Sequence, residues 1–242
     1  MNKRDPLKNI RVVLAHPSHP GNIGAAARAM KTMGLDALHL VRPRRFPDPE
    51  ADARAAGAED LLRNARMHPD IPDALRGCAF SVATSSRHRE LRHDLMDARA
   101  AARELVAQAA HHPAAIVFGN ETTGLTSEEA GLCRVWARIP SDPRYPSLNL
   151  AAAVQIFAYE LRLATAQPAP PAEPEFVPAN FEQLDLLYRH FEKTMTHSGF
   201  FDPANPKRLL PRLRRLLARA RLETGEVDIL RGFLNAVDKM HR

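Results

Sequence analysis

The chain has 242 residues, of which 45% are hydrophobic and 26% are charged, a balance that is typical of a folded globular protein and argues against disorder. Its net charge of +6 favours a polyanionic partner. Its apolar runs fall short of the roughly 20 residues that span a bilayer, and its first residues lack the apolar core of a signal peptide. We therefore expect a cytoplasmic protein without a membrane span. Cys78 and Cys133 lack partners at metal-ligand spacing, so we expect no metal site.

Five short runs of apolar and β-branched residues predict strands at 10–15, 37–41, 79–84, 114–119 and 135–139. Most of the intervening stretches are long enough for crossover helices, and helical patterns occur near 22–33, 59–65, 99–110, 127–133 and 147–165. The predicted fold class is therefore α/β, with a parallel sheet flanked by helices. Thr126 and Glu129 form a capping-box pattern, and Ser147 is placed to cap the last of these helices.

The helix expected at 147–165 is apolar almost all round. Leu150, Ile156 and Leu161 occupy more than one of its faces, which predicts burial on several sides, either in the core or in a subunit interface. The pattern favours a homodimer.

A Pro-rich stretch at 167–179 predicts a semi-rigid linker. It separates a domain at 1–166 from a small all-helical extension at 180–242, in which helical patterns cover 180–197, 206–220 and 225–239. No acidic residue occurs from Lys207 to Arg221, and four arginines recur on one helical face, namely Arg208, Arg212, Arg215 and Arg219. Two interpretations stay open, a surface that binds RNA or a solvated face opposite leucines that turn to the core, namely Leu209, Leu213 and Leu216.

The turn after the first strand has Gly21 and Gly24 without the GxGxxG spacing, and the sequence contains no GxxxxGK[ST], which argues against NAD and ATP. No Ser/His/Asp or Cys/His order indicates a nucleophile. His16 and His19 lack a neighbouring carboxylate in the sequence, and we interpret them as turn residues or RNA contacts.

Three segments together indicate one site, namely HPSHPGNIGAAARAMKTMG at 16–34, IVFGNETTGLTSEEAG at 116–131 and IPSDPRYPSLNLAAAVQIFAYEL at 139–161. Each joins a strand-like run or a Pro/Gly turn to a helix start, which presents backbone N–H groups and polar side chains at the C-terminal edge of a sheet. In the first segment Asn22 is expected to open the helix, and Arg28 lies six residues further on.

With ATSSRHR at 83–89 and the stretch at 181–207, these segments resemble the SPOUT superfamily of methyltransferases. Within it, the chain resembles the TrmJ-type tRNA (cytidine/uridine-2'-O)-methyltransferases over nearly its whole length, with SLNLAAAVQ as the most specific string. The resemblance implies S-adenosylmethionine as cofactor and 2'-O-methylation of cytidine or uridine at position 32 in the tRNA anticodon loop. It also implies a homodimer and a C-terminal trefoil knot in the methyltransferase domain.

By correspondence with that family, three loops form the cofactor cradle, with Thr84, Ser85 and Ser86 in one, Gly119 and Asn120 in the next, and Ile139, Pro146, Ser147 and Leu148 in the third. Candidate RNA contacts are Arg87 and Arg89 in a basic cluster, Tyr145, and the four arginines near the C-terminus.

Arg28 is the residue expected to act in catalysis. A guanidinium holds its proton firmly and is a poor general base, so the favoured hypothesis is a clamp on a neighbouring phosphate that also stabilises the developing alkoxide. Asn22 and Ser147 would fix the geometry. Glu121 and Asn149 are further candidates, although each could simply satisfy loop N–H groups. In the family that the chain resembles, the RNA-facing arginine of one subunit is thought to meet the cofactor of the other.

Two other functions stay open. The same fold and chemistry could act on ribosomal RNA, or the chain could be a non-catalytic RNA-binding protein that keeps only the basic surfaces. Binding of S-adenosylmethionine distinguishes the second of these from an enzyme.

Overall fold

A computed structural model describes residues 5–85, 95–166 and 177–240. The chain divides into two compact units, Met1–Ala172 and Glu173–Arg242. Within the described ranges, no helix is long and apolar enough to cross a membrane.

Seven strands of the described residues form one sheet in the first unit, namely β1 (Ile10–Ala15), β2 (Ala37–Val41), β3 (Arg66–His68), β4 (Phe80–Thr84), β5 (Leu95–Asp97), β6 (Ala114–Phe118) and β7 (Val135–Arg138). Every neighbouring pair is parallel, and the order across the sheet is β3-β2-β1-β6-β4-β7-β5. The helices of this unit are α1 (Pro20–Met33), α2 (Pro49–Ala55), α3 (Glu59–Arg63), α4 (Ile71–Leu75), α5 (Ala98–Ala109), α6 (Ser127–Ala130) and α7 (Leu150–Thr165).

Both faces of the sheet are covered. In β1, Val12 and Leu14 point to the main core, and the alternate residue Val13 is equally buried on the opposite face. The predicted α/β class with a parallel sheet between helices is therefore confirmed. The trefoil knot stays a prediction.

Two short strands and two short helices were not predicted from the sequence. The strands β3 and β5 have three residues each and are largely exposed, so neither has the apolar run that marks a buried strand. The helices α2 and α4 are one to two turns long, but each begins with an aspartate cap, Asp48 and Asp70. An aspartate at this position is a helix-start signal that can be recognised in the sequence.

Two helix starts differ from the predictions. The first helix begins at Pro20 with His19 as its cap, because the His19 ring accepts from the Gly21 N–H. Asn22 therefore lies within the first turn and does not open the helix. The long helix begins at Leu150 with Asn149 as its cap, so the prediction that Ser147 caps it is wrong.

Helix α1 packs very closely on α2. A Cβ placed on Gly24 would lie 2.0 Å from the backbone oxygen of Ala51, so only glycine allows this approach. The cysteines Cys78 and Cys133 are buried and not joined in a disulfide. Burial raises the pKa of Cys133 to about 12.

The second unit contains α8 (Phe181–His197), α9 (Leu209–Ala220) and α10 (Thr224–Met240). Its small core is built from residues of these helices and the segments beside them, among them Leu187, Leu222, Val227 and Leu234. The three predicted helices are confirmed, with ends shifted by up to three residues.

Candidate active site

The loops that carry the predicted site residues leave one edge of the sheet. Strands β1, β6, β4 and β7 are consecutive neighbours and all parallel, so their C-terminal ends lie side by side. Open parallel sheets bind ligands at this edge. The three predicted segments and the turn after β4 therefore meet there.

Glu121 joins the loop after β6 to the loop after β1. Its Oε2 accepts from the Ser18 N–H at 2.9 Å and from the Ser18 Oγ at 2.7 Å. Its Oε1 accepts from the His19 N–H at 3.2 Å and from the Asn22 Nδ2 at 2.9 Å. Partial burial alone would raise the pKa of Glu121, but the bonds from Asn22 and Ser18 outweigh it and lower that pKa to about 2. The carboxylate is thus ionised near neutral pH.

Asn22 and Asn149 extend this contact to the third segment. The Asn149 Nδ2 donates to the Asn22 Oδ1 at 2.9 Å. The Asn149 Oδ1 accepts from the backbone N–H groups of Ala151 and Ala152 at 2.9 and 3.3 Å, which caps α7. A continuous hydrogen-bonded chain, Glu121 to Asn22 to Asn149, therefore links all three segments; we call it the Glu–Asn–Asn chain.

The loop after β6 is shaped by its own residues. The Asn120 Oδ1 accepts from the N–H groups of Thr122 and Thr123 at 3.0 and 2.7 Å and from the Thr123 Oγ1 at 3.0 Å. A Cβ on Gly119 would lie 2.2 Å from the backbone of Gly124, so the two sides of the loop approach too closely for any side chain there. Both residues fix the position from which Glu121 projects.

A second contact between the first two segments uses residues that we had not assigned to the site. The His16 Nε2 lies 3.0 Å from the Glu129 Oε1, and Glu129 also completes the predicted capping box with Thr126. Ser18 was also missed as a site residue. No local pattern could reveal it, because its partner Glu121 lies 103 positions away.

The candidate cofactor loops lie around the same edge. The Thr84 Oγ1 donates to the Val117 carbonyl at 3.1 Å, and the Ser85 N–H donates to the Ala137 carbonyl at 2.9 Å, which fixes the end of β4 against its two neighbours. Ile139 packs against the main core and Leu148 is half-buried. Ser86 lies outside the described residues.

The loop from Ile139 to Asn149 leaves its backbone available. Among the described residues, its amides are engaged only at one turn, where Asp142 accepts from the N–H groups of Arg144 and Tyr145. Ser147 is exposed, and the Tyr145 side chain is 81% exposed. Free amides beside half-buried apolar side chains suit an adenosine, so the residues present fit S-adenosylmethionine.

Arg28 does not join the Glu–Asn–Asn chain. It is exposed on α1, and within the described part of the protein its guanidinium makes no hydrogen bond or ion pair. A guanidinium in this state is available to a ligand or to a second subunit.

Four of the predicted RNA-binding residues lie on α9 or directly before it. Arg208 precedes α9, and Arg212 and Arg219 are exposed on that helix, while Arg215 is half-buried. Leu216 does not support the interpretation in which the leucines turn to the core, since it is 54% exposed and Leu217 packs there instead. The candidates Arg87 and Arg89 lie outside the described residues.

Comparison with known proteins gives matches along nearly the whole chain. The model of the SpoU rRNA Methylase family matches residues 9–159, and that of the tRNA methyltransferase TrmJ C-terminal domain matches residues 182–242. A tRNA (cytidine/uridine-2'-O-)-methyltransferase TrmJ from Pectobacterium atrosepticum is 44% identical over 238 residues, which cover 97% of this chain and 99% of that protein.

Solved structures agree with these matches. The crystal structure of TrmJ from Z. mobilis ZM4 has a TM-score of 0.83 at 33% identity and covers 94% of this chain and 98% of its own. An AdoMet-bound rRNA methyltransferase from Sinorhizobium meliloti has a TM-score of 0.50 at 28% identity, over 64% of this chain and 56% of that one. The chain therefore belongs to the SpoU methylase family and, within it, to the TrmJ-type methyltransferases.

Proposed function

We propose that this protein transfers a methyl group from S-adenosylmethionine to the ribose 2'-hydroxyl of a cytidine or uridine at position 32 of the tRNA anticodon loop. The similarity to TrmJ proteins over nearly the full length supports this proposal. The structural observation that carries it is the Glu–Asn–Asn chain, which assembles the three segments at one sheet edge. A protein of this family acting on tRNA would work in the cytoplasm.

When bound, S-adenosylmethionine supplies the methyl group on a positively charged sulfur. Thr84, Ser85 and Ser86, Gly119 and Asn120, and the loop from Ile139 to Leu148 would surround it. Backbone amides of that last loop would bind the nucleoside part, because the described structure leaves most of them unengaged.

Arg28 would act as a bidentate clamp on the phosphate beside the target ribose. Its two parallel N–H donors fit a phosphate, and its charge stabilises negative charge as it develops on the 2'-oxygen. Ser147, which is exposed at the same edge, would orient the ribose. Asn22, Asn149 and Glu121 would position the loops.

A homodimer would complete the site. Helix α7 buries one side in its own core, yet Tyr159 and Leu163 on its other side are 50% and 40% exposed. A second copy packed on this side would cover them and could bring its own Arg28 toward the cofactor loops. That arrangement explains why Arg28 has no partner among the described residues of its own chain.

The extension at 180–242, joined to the domain at 1–166 through the linker at 167–179, would grip the tRNA. The exposed guanidinium groups of Arg212 and Arg219 support this role, together with Arg208 and the half-buried Arg215. Tyr145, Arg87 and Arg89 are the other candidate RNA contacts of the proposal. Contacts of arginine with phosphate make binding weaken as salt rises.

The test is transfer of labelled methyl from S-adenosylmethionine to unmodified tRNA transcripts, with the label mapped by nuclease digestion. We expect label at the 2'-oxygen of nucleotide 32, and its loss in Arg28→Ala and in Arg28→Lys, because lysine cannot form the bidentate contact. Arg103→Ala, which removes an exposed arginine of α5, is the matched control. Label on ribosomal RNA alone would overturn the substrate, and full activity in Arg28→Ala would overturn the clamp.

Mixed dimers test whether the site is composite. Neither Arg28→Ala nor Asn149→Ala should be active alone. If Arg28 serves the cofactor loops of the other subunit, co-expressed subunits of the two kinds form one intact site per mixed dimer, and activity returns. If the mixture stays inactive while both variants fold and dimerise, Arg28 acts within its own chain.

A further inference from the structure

A cleft of about 360 Å³ opens at the edge of the sheet opposite to the candidate active site. It lies where β1, β2 and β3 begin, and its polar lining consists chiefly of Lys8, Arg11, Asp36, His39, Asn64 and Arg66. The proposed methyl transfer uses none of these residues.

Strand alternation places the basic residues of the cleft on one face. Arg11 is the register partner of Ala37, and His39 is the register partner of Arg66. Because residues two apart on a strand share a face, Arg11, His39 and Arg66 all project to the side that α4 covers. The opposite side of β1 and β2 carries the apolar core, with Val12 and Leu38.

The cleft carries more positive charge than its one acidic side chain, Asp36, can neutralise. Asp36 pairs with the Lys8 amine at 2.6 Å, so the charges of these two groups largely cancel each other in the cleft. The Arg11 Nη1 donates to the carbonyls of Ala74 and Arg76 at 2.9 and 2.6 Å, so these neutral acceptors fix the guanidinium without neutralising it. The Arg66 guanidinium makes no ion pair with any described residue and is exposed.

The wall of the cleft includes the imidazole of His39, which contacts the imidazole of His68. His39 is only 3% exposed, its Nδ1 lies 2.8 Å from the His68 Nε2, and the His68 Nδ1 lies 2.8 Å from the Asp73 Oδ2. The two ring planes are nearly parallel, at 4° to each other, with centroids 4.9 Å apart, which suits an in-plane hydrogen bond between the ring nitrogens. Burial and then the positive charge of Arg11 lower the pKa of His39 to about 3, with smaller effects from His68 and Arg66. His39 is therefore neutral and adds no charge to its surroundings.

We propose that this cleft is a binding site for a phosphate group, bound by the guanidinium groups of Arg11 and Arg66 with the Asn64 amide at the rim. Planar guanidinium donors match the oxygens of a phosphate. The phosphate belongs either to the backbone of bound RNA or to a free phosphate ester. Because the cleft is separate from the candidate active site, the loss of methyl transfer would leave this proposal intact.

The test is a titration of the full-length protein with inorganic phosphate, followed through the imidazole NMR signals of His39 and His68. The reference titration uses chloride at equal ionic strength. We expect saturable shifts of both imidazoles with phosphate only, and their loss in Arg66→Gln and in Asn64→Asp. Arg54→Gln, which removes an exposed arginine of α2 outside the cleft, should keep the shifts. Shifts that are equal with chloride, or that persist in Arg66→Gln, would overturn the proposal.

Binding of tRNA then distinguishes the two sources of phosphate. If the group belongs to RNA, tRNA displaces inorganic phosphate, and Arg66→Gln lowers the slope of log K against log salt by about 1. If it belongs to a free ester, tRNA binding and its salt slope are the same in Arg66→Gln and wild type, while the phosphate-induced shifts are still lost.

Discussion

The substitution Glu121→Gln tests the Glu–Asn–Asn chain directly. Each carboxylate oxygen accepts two hydrogen bonds, from Ser18 at one oxygen and from His19 and Asn22 at the other. Glutamine replaces one of these oxygens with an amide that donates. In either orientation the new amide group faces a backbone N–H, so two donors oppose each other. Asn22 cannot turn its own amide to compensate, because it would lose its bond to Asn149.

The expected loss of stability follows from the pKa of the carboxyl group. A fall in the pKa of Glu121 from 4.5 to about 2 corresponds at most to about 3.4 kcal/mol of native-state stabilisation at pH 7. Glu121 is only partly buried, and solvent screening reduces the figure to about 2 kcal/mol. Since displacement of a catalytic loop by about 1 Å can cost about 100-fold in rate, we expect methyl transfer to fall by a similar factor.

Urea unfolding of wild type and Glu121→Gln between pH 7 and pH 3 measures this loss. The folded-state pKa lies below the unfolded one, so the contribution of the carboxylate is complete above pH 4.5 and is lost as the pH falls toward 2. The difference between the two proteins should therefore shrink through that window. Glu128→Gln, at an exposed glutamate of α6, is the control. A difference that does not change with pH, or an equally large loss in Glu128→Gln, would refute the reasoning.

Four other substitutions have defined outcomes. Gly24→Ala places a Cβ 2.0 Å from the Ala51 oxygen and should cost about 3 kcal/mol in urea unfolding by separating α1 from α2. Asn149→Ala removes the cap of α7 and should cost about 1 kcal/mol and most of the methyl transfer, whereas Ser147→Ala should leave stability within about 0.5 kcal/mol. In His39→Gln the titrating ring is absent. Below pH 6.5 His39 binds a proton in the unfolded wild type but stays unprotonated in the folded protein. The free energy of unfolding of the wild type should therefore fall, relative to that of the variant, by about 1.4 kcal/mol per pH unit below pH 6.5.

Short apolar runs made most of the sheet predictable. β1 and β2 lie where their runs predicted them, and β4, β6 and β7 differ by a single residue at one end. β3 and β5 could not be found in this way, because three largely exposed residues pair only where a neighbouring strand already lies beside them. Their pairing is a product of the tertiary fold, which a local pattern does not contain.

The candidate site was predictable as a set of residues and not as a network. Asn22, Glu121 and Asn149 could be named from their segments, but their partners are separated by 99 and 127 positions. The choice between Ser147 and Asn149 as cap shows the same limit. Both are good capping residues, and Asn149 is the one whose amide can accept from α7 and donate to Asn22 at once.

The hydrogen bonds of the site divide its residues by role. Asn22, Glu121 and Asn149 use their side chains on one another and on nearby loops, so little capacity is left for a ligand. Arg28 and Ser147 make no side-chain hydrogen bond with the described residues, and they are exposed. Substitutions in the first group should therefore reduce stability and methyl transfer together, since they disturb the scaffold. Substitutions in the second group should reduce methyl transfer alone, because the contacts that they remove form only when the ligand is bound.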